Sequence, residues 1–171
     1  MMKKMLLSLA LIGTMIFGAQ AAEEVKWPVW FAFNDVEDVD VIGWRINWFS
    51  GKCDQMTGLD FLGFIGRSTN FNGLQINLLR NDVTDKLAGW QIGCYNSCGQ
   101  SDLLGLQVGL WNETGTLNGI QAGLVNVAEY GEGFQVGLIN RSEDFIGFQV
   151  GLLNFIRSSK VPFFPIVNAG F

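Results

Sequence analysis

A short sequence unit recurs along the second half of the chain and constrains its fold more than any other feature. The unit has the form Gly-x-Gln-x-Gly-Leu-x-Asn, and four copies follow one another with a period of 14 residues. They occupy residues 105–112, 119–126, 133–140 and 147–154. An internal period of this kind is typical of proteins that stack one small structural unit many times.

Weaker copies of the unit extend the series in both directions. They occupy residues 27–34, 43–50, 59–66, 73–80, 89–96 and 161–168. Together these segments predict about ten repeats of 14–16 residues that fill nearly all of the chain after its leader. The repeats are separated by six or eight residues, so we expect insertions to come in pairs and to preserve the alternation of a β-strand.

Within each unit the apolar residues alternate with Gln and Gly. Positions two, four and six are aliphatic or aromatic, whereas positions three and five are Gln and Gly. A period of two indicates a β-strand with one buried face. We therefore predict that residues such as Val108, Val136 and Val150 point into a shared interior, with Gln and Gly outside.

These strands fit an all-β, β-solenoid-like stack in which every repeat forms one coil. The Gln and Asn side chains of successive coils would then form hydrogen-bonded ladders. A shorter return strand would carry an apolar residue just before the next Gly. The residues predicted at that point are Phe71, Leu87, Leu103, Leu117 and Phe145.

A small antiparallel outer-membrane β-barrel is the alternative fold. Residues 145–154 would make one membrane strand of suitable length, and Phe171 resembles the aromatic C-terminus of such barrels. Pro28 and Pro162 argue against closure, because they lie in the first and last repeats and proline removes a sheet hydrogen-bond donor. The sequence therefore favours an open stack with protected ends.

The N-terminal segment has the features of an export signal. Lys3 and Lys4 precede an apolar run at residues 5–17, and Ala19-Gln20-Ala21 resembles a cleavage site. We predict a signal peptide at residues 1–21 and a single β-repeat domain at residues 22–171. The expected location is the cell envelope, at the outer membrane or cell surface, with the periplasm as an alternative.

The repeat resembles that of bacterial surface-repeat proteins of spirochaetes. Their units have the form GxQxGLxN, and their last unit tends to be rich in Pro and Phe, as residues 161–171 are here. The resemblance covers roughly residues 73–171 and is weaker upstream. It implies an envelope location and brings no known chemistry.

The composition argues against catalysis and against nucleic-acid binding. The chain contains no histidine, which removes the usual general bases and zinc ligands. Its formal net charge of −5 would repel nucleic acid. The acidic segment 35–40 lacks the spaced glycine of a calcium loop and is predicted to be a solvated turn. We expect no cofactor and no enzymatic activity.

The remaining hypothesis is a non-catalytic scaffold with a flat interaction face for a protein, a polysaccharide or a membrane surface. This face would combine the Gln column with the residues at position seven. The predicted residues are Gln107, Gln121, Gln135, Gln149, Trp111, Val125, Ile139 and Leu153. In addition, Cys94 and Cys98 flank an apparent turn and are candidates for a disulfide in an oxidising compartment.

Overall fold

A computed structural model describes residues 23–25, 29–32 and 39–171. The predicted signal peptide, half of the first repeat and most of the acidic segment lie outside these ranges. Seven β-strands make up the described structure: β1 (Glu23–Val25), β2 (Val29–Ala32), β3 (Val39–Asn47), β4 (Ser50–Ile92), β5 (Tyr95–Val136), β6 (Ile139–Ile156) and β7 (Phe163–Gly170).

The repeats wind into a parallel β-solenoid. Gly43 pairs with Gly58, Gly89 with Gly105, and Gly133 with Gly147, always in parallel and one coil apart. Strands β4 and β5 each wind through several coils. The predicted solenoid is confirmed, with about seven turns rather than ten repeats. The alternative of an antiparallel barrel is wrong, because successive repeats pair in parallel.

The first Gly of each unit forms a corner of the coil. Gly105 and Gly119 have φ angles of +142° and +147°, which side-chain-bearing residues rarely adopt. A Cβ atom added to Gly119 would overlap the carbonyl oxygen of Gly105 below it. The recurring Gly therefore permits both the corner conformation and the close spacing of the coils.

The sequence predicts amide ladders, and two are present, but they run through the interior of the coil rather than along its outside. In the Gln ladder, the Nε2 of each Gln donates to the Oε1 of the preceding Gln at 2.7–3.0 Å, from Gln149 back to Gln75. In the Asn ladder, each Nδ2 donates to the Oδ1 of the following Asn at 2.7–2.8 Å, from Asn81 to Asn154. Each coil thereby satisfies its neighbour's buried amides.

An apolar column accompanies the ladders. The residues predicted for the return strand are all buried, and the column continues toward the N-terminus with Met56 and Val41. At Gly131 the column lacks a side chain, and the ring of Phe145 from the next coil fills the space. Phe145 is 1% exposed, so the missing side chain leaves no void.

The predicted orientation of the strands is wrong. The Gln side chains at position three are completely buried, whereas Val136 and Val150 are 46% and 40% exposed and Val108 is half-buried. The narrow interior is occupied by the amide ladders, which satisfy one another. The aliphatic side chains of positions two, four and six consequently point outward.

The last predicted repeat does not form a coil. Strand β7 folds back and pairs antiparallel with β6, placing Asn168 opposite Gln149. Asn154 closes the Asn ladder by donating to the carbonyl oxygen of Phe164 at 3.1 Å. The Gln ladder is not closed in this way, because Gln149 Oε1 and Asn168 Nδ2 are buried without hydrogen-bond partners.

The first coils are less regular than the sequence predicts. The step from Gly43 to Gly58 is 15 residues, so insertions do not always come in pairs. In the next coil, Leu62 has a φ angle of +70° and marks a local irregularity. Such a bulge absorbs one additional residue and restores the alternation of side chains beyond it.

Candidate interaction face

The outward side chains at positions two, four and six form one continuous surface, which we call the apolar face. It comprises these three positions in the six coils that begin at Gly73, Gly89, Gly105, Gly119, Gly133 and Gly147. None of these side chains is buried, and none is charged. Exposed apolar surface of this extent is rare and marks interaction sites.

Open grooves run along the apolar face above the glycines of position five. One, of about 590 Å³, lies over Gly123, Gly137 and Gly151. Another, of about 650 Å³, lies over Gly63, Gly93 and Gly109, with Asn77 at position five of the coil between Gly63 and Gly93. The walls are the side chains of positions four and six. Glycine is required at position five, because an added Cβ at Gly123 would point inward and lie 2.6 Å from Asn112 Nδ2 of the Asn ladder.

The opposite side of the coil carries the charges, and we call it the polar face. It is formed by the residues that follow the Asn ladder, including Glu129, Arg141, Glu143 and Asp144. Glu143 accepts hydrogen bonds from Arg141 and from Arg157 of the next coil, both at 3.2 Å. These pairs are exposed and contribute little stability. The charged side chains of these coils therefore lie outside the apolar face.

A polar link borders the apolar face at position seven. Tyr95 donates to Glu113 Oε2 at 2.7 Å, and the Arg80 guanidinium lies 5.0 Å from the centre of the Tyr95 ring. Burial and the neighbouring Glu113 carboxylate raise the pKa of Tyr95. The Tyr95 hydroxyl therefore stays protonated as a donor at neutral pH.

The structure divides the residues predicted for the interaction face between the interior and the exterior. Trp111, Ile139 and Leu153 are exposed beside the apolar face, and Val125 is half-buried there. The four predicted Gln residues are inaccessible to any partner, because all of them are 0% exposed. These are Gln107, Gln121, Gln135 and Gln149.

Sequence reasoning missed the residues of positions two, four and six as surface residues. A signal was nevertheless present in how the repeats vary. Position three is Gln in six units, whereas position two changes among Leu, Trp, Ile and Phe. A ladder requires the same residue in every coil, whereas an exposed position tolerates different sizes.

The two cysteines predicted to form a disulfide point in opposite directions, one toward the exterior of the coil and the other toward its interior. Cys94 occupies position six and lines the second groove, whereas Cys98 is completely buried. Both are free thiols, and so is Cys53. The predicted disulfide is therefore not formed in this structure. Burial raises the pKa of Cys98 to about 12 and that of Cys53 to about 11.

Residues 23–25, 29–32 and 39–171 contain no group of three or more Cys, Asp or Glu side chains that could hold a metal ion. They also contain no helix long and apolar enough to cross a bilayer.

The fold and the face define a class of molecule, a two-faced parallel β-solenoid with an amide-lined interior. Comparison of the chain with protein-family models, with curated proteins and with solved structures gives no match.

Proposed function

We propose that the chain is an exported, non-catalytic protein of the cell envelope, a scaffold that docks to its partner through the apolar face. The observation that carries this proposal is the continuous, uncharged apolar surface over the six coils that begin between Gly73 and Gly147. Leaving such a surface in water is unfavourable, so a docked partner would gain free energy by covering it.

Other observations support the remaining parts of the proposal. The features of residues 1–21 and the resemblance to surface-repeat proteins support export and an envelope location. The ladders support a scaffold role, since they hold each coil to the next by side-chain hydrogen bonds as well as by the sheet. The lack of histidine supports a non-catalytic role.

Cell fractionation of two matched variants tests the proposal. In the face variant, three exposed residues of position six become lysine: Leu110→Lys, Leu124→Lys and Leu138→Lys. In the control variant, three equally exposed residues outside the apolar face become lysine: Leu104→Lys, Tyr130→Lys and Ile146→Lys. Both variants gain the same charge and leave the interior unchanged.

We expect the unchanged chain and the control variant in the envelope fraction, shortened at the N-terminus. The face variant should instead appear in the soluble fraction while giving the same circular dichroism spectrum. Retention of the face variant in the envelope, or a full-length chain in the cytosol, would contradict the proposal.

A further inference from the structure

We propose that the partner of the apolar face is the acyl region at the surface of a phospholipid bilayer, on which the solenoid lies with its axis in the membrane plane. This inference rests on the proposed docking function and names its partner. Four features of the described residues carry it: the distribution of charge, the saturation of the backbone, the position of aromatic residues and the size of the face.

Charge is separated completely between the two faces. No Asp, Glu, Lys or Arg occupies the apolar face, whereas Glu129, Glu143 and Asp144 lie on the polar face. A bilayer contacted by the apolar face would therefore receive no charged group in its hydrocarbon region, where one is costly. The acidic polar face would point to water, away from the headgroups.

The backbone of the apolar face is already hydrogen-bonded. In β5 and β6, residues 125–128 and 130–136 pair with residues 139–142 and 144–150 of the next coil. Lipid tails cannot hydrogen-bond to peptide groups, so only saturated backbone can enter them. The parallel coils meet this condition on the apolar face.

Aromatic residues lie at the edges of the apolar face rather than at its centre. Trp90 and Phe148 occupy position two, and Tyr95 and Trp111 occupy position seven. Positions four and six between them carry only aliphatic residues and Cys94 in these six coils. Tryptophan and tyrosine favour the boundary between headgroups and hydrocarbon, so this arrangement fits a protein partly immersed in a bilayer.

The size of the face fits a lipid surface. Six coils spaced by about 4.8 Å and four residue steps of about 3.3 Å give it a flat outline of roughly 30 Å by 13 Å. A bilayer needs no surface of complementary shape, and its acyl chains can fill the grooves above Gly109 and Gly123.

Flotation with vesicles of zwitterionic phosphatidylcholine tests the inference on the full chain. We expect the unchanged chain and the control variant to float with the vesicles. The vesicle partition coefficient of the face variant should fall by roughly a hundredfold, since it loses three leucine side chains that the bilayer would bury. Binding of the unchanged chain should persist at high salt, because it does not depend on charge attraction.

A fluorescent probe on Cys94 gives a second measurement. Cys53 and Cys98 are buried, so a polarity-sensitive maleimide probe should label Cys94 on the apolar face. Its emission should shift to the blue when vesicles are added. The same probe on Glu129→Cys in a Cys94→Ser background lies on the polar face and should not shift.

The possible failures separate this inference from the proposed function. Equal flotation of the face variant and the unchanged chain, or an unshifted Cys94 probe, would overturn lipid docking. Absence of vesicle binding together with a dimer that the face variant dissociates would make the face a contact between copies. In that case the lipid partner is wrong, while a docking function survives if the face variant still leaves the envelope fraction.

Discussion

The two ends of the solenoid fill the same interior column with different chemistry. From Gln75 to Gln149 the column consists of neutral amides, each bonded to the one before it. In the two preceding coils the column holds Arg45 and Asp60, completely buried and joined Nη2 to Oδ2 at 2.6 Å. Gln75 Nε2 then donates to Asp60 Oδ2 at 2.9 Å, so the ladder begins on a carboxylate.

The comparison shows what the column requires. Both ends preserve a continuous series of donors and acceptors from coil to coil, although the residue types differ. They should respond differently to substitution, because an amide that loses its partner is a neutral group, whereas Arg45 without Asp60 is a buried charge that has lost its carboxylate partner. Substitutions in the two regions test this difference.

The largest effect is expected for Asp60→Asn. It keeps the shape of the side chain but removes the carboxylate that pairs with the buried charge of Arg45, which should lower the free energy of unfolding by about 3–5 kcal/mol. It also weakens the bonds that Asn47 and Gln75 make to the carboxylate. Urea denaturation followed by circular dichroism measures the change.

An exposed ion pair and a double variant are the controls for this prediction. Asp82→Asn breaks the pair with Arg80, at 2.9 Å on the surface, and should cost less than about 1 kcal/mol. The double variant Arg45→Gln with Asp60→Gln extends the amide ladder and should recover most of the loss. A cost for Asp60→Asn no larger than that for Asp82→Asn would show that the buried charge is not compensated by Asp60.

Within the amide region, Gln121→Leu should destabilise the fold although it adds an apolar residue to the interior. Gln107 Oε1 loses its donor at 2.8 Å and Gln135 Nε2 loses its acceptor at 2.7 Å. Each unpaired buried group costs about 1–3 kcal/mol, so we expect a loss of about 2–4 kcal/mol in urea denaturation.

The neighbouring change Leu124→Ser is its counterpart on the outside of the same coil. Leu124 is 48% exposed, so its loss should alter the free energy of unfolding by no more than about 0.5 kcal/mol. If Leu124→Ser proved the more damaging of the two, the aliphatic residues would face the interior after all, and the apolar face would not exist.

The sequence predicted much of this architecture, because the period and the ladders depend on spacing alone. Recurring Gln and Asn predict stacked coils, and Leu87, Leu103 and Leu117 mark the apolar column. The orientation could not be read in the same way. Strict alternation indicates that one of the two sets of side chains faces the interior, but it does not identify that set. Aliphatic residues usually prefer the interior, and this preference led to the wrong predicted orientation.

The predicted interaction face contains the same error in orientation. Its position-seven residues Trp111, Ile139 and Leu153 are exposed, whereas its Gln residues are in the core. The irregularity of the first coils was also not predicted, because the bulge at Leu62 changes the spacing by one residue and has no distinctive composition. The antiparallel return of β7 depends on tertiary pairing with β6, which the repeat pattern does not encode.

A smaller effect is expected where two coils of the apolar column complement each other in size. In Gly131→Ala, the added Cβ would lie 2.7 Å from Phe145 Cε2, and the buried ring has little room to move. We expect a loss of about 1–3 kcal/mol from overpacking. In a Phe145→Leu background the same change should be neutral or stabilising, since Leu103 and Leu117 show that leucine fits this column.

A double-mutant cycle measured by urea denaturation isolates this coupling. The relevant quantity is the interaction free energy between the two substitutions, which excludes the separate cost of shortening Phe145. Equal costs for Gly131→Ala in both backgrounds would show that the two residues do not share one space.

The smallest effect on the free energy of unfolding should appear at alkaline pH, and it comes from the two buried thiols. Burial raises the pKa of Cys53 from 9.0 to about 11 and that of Cys98 to about 12, so the folded chain keeps both thiols neutral. The stabilisation is complete below pH 9 and is lost as the pH rises through 11 to 12, because only the unfolded chain ionises readily. At pH 10 the loss should be about 1 kcal/mol for each thiol.

Cys53→Ser with Cys98→Ser should remove this part of the alkaline decline in urea denaturation, since Ser68 and Ser142 are buried elsewhere in the solenoid. A decline that persists in this variant would assign it to other groups.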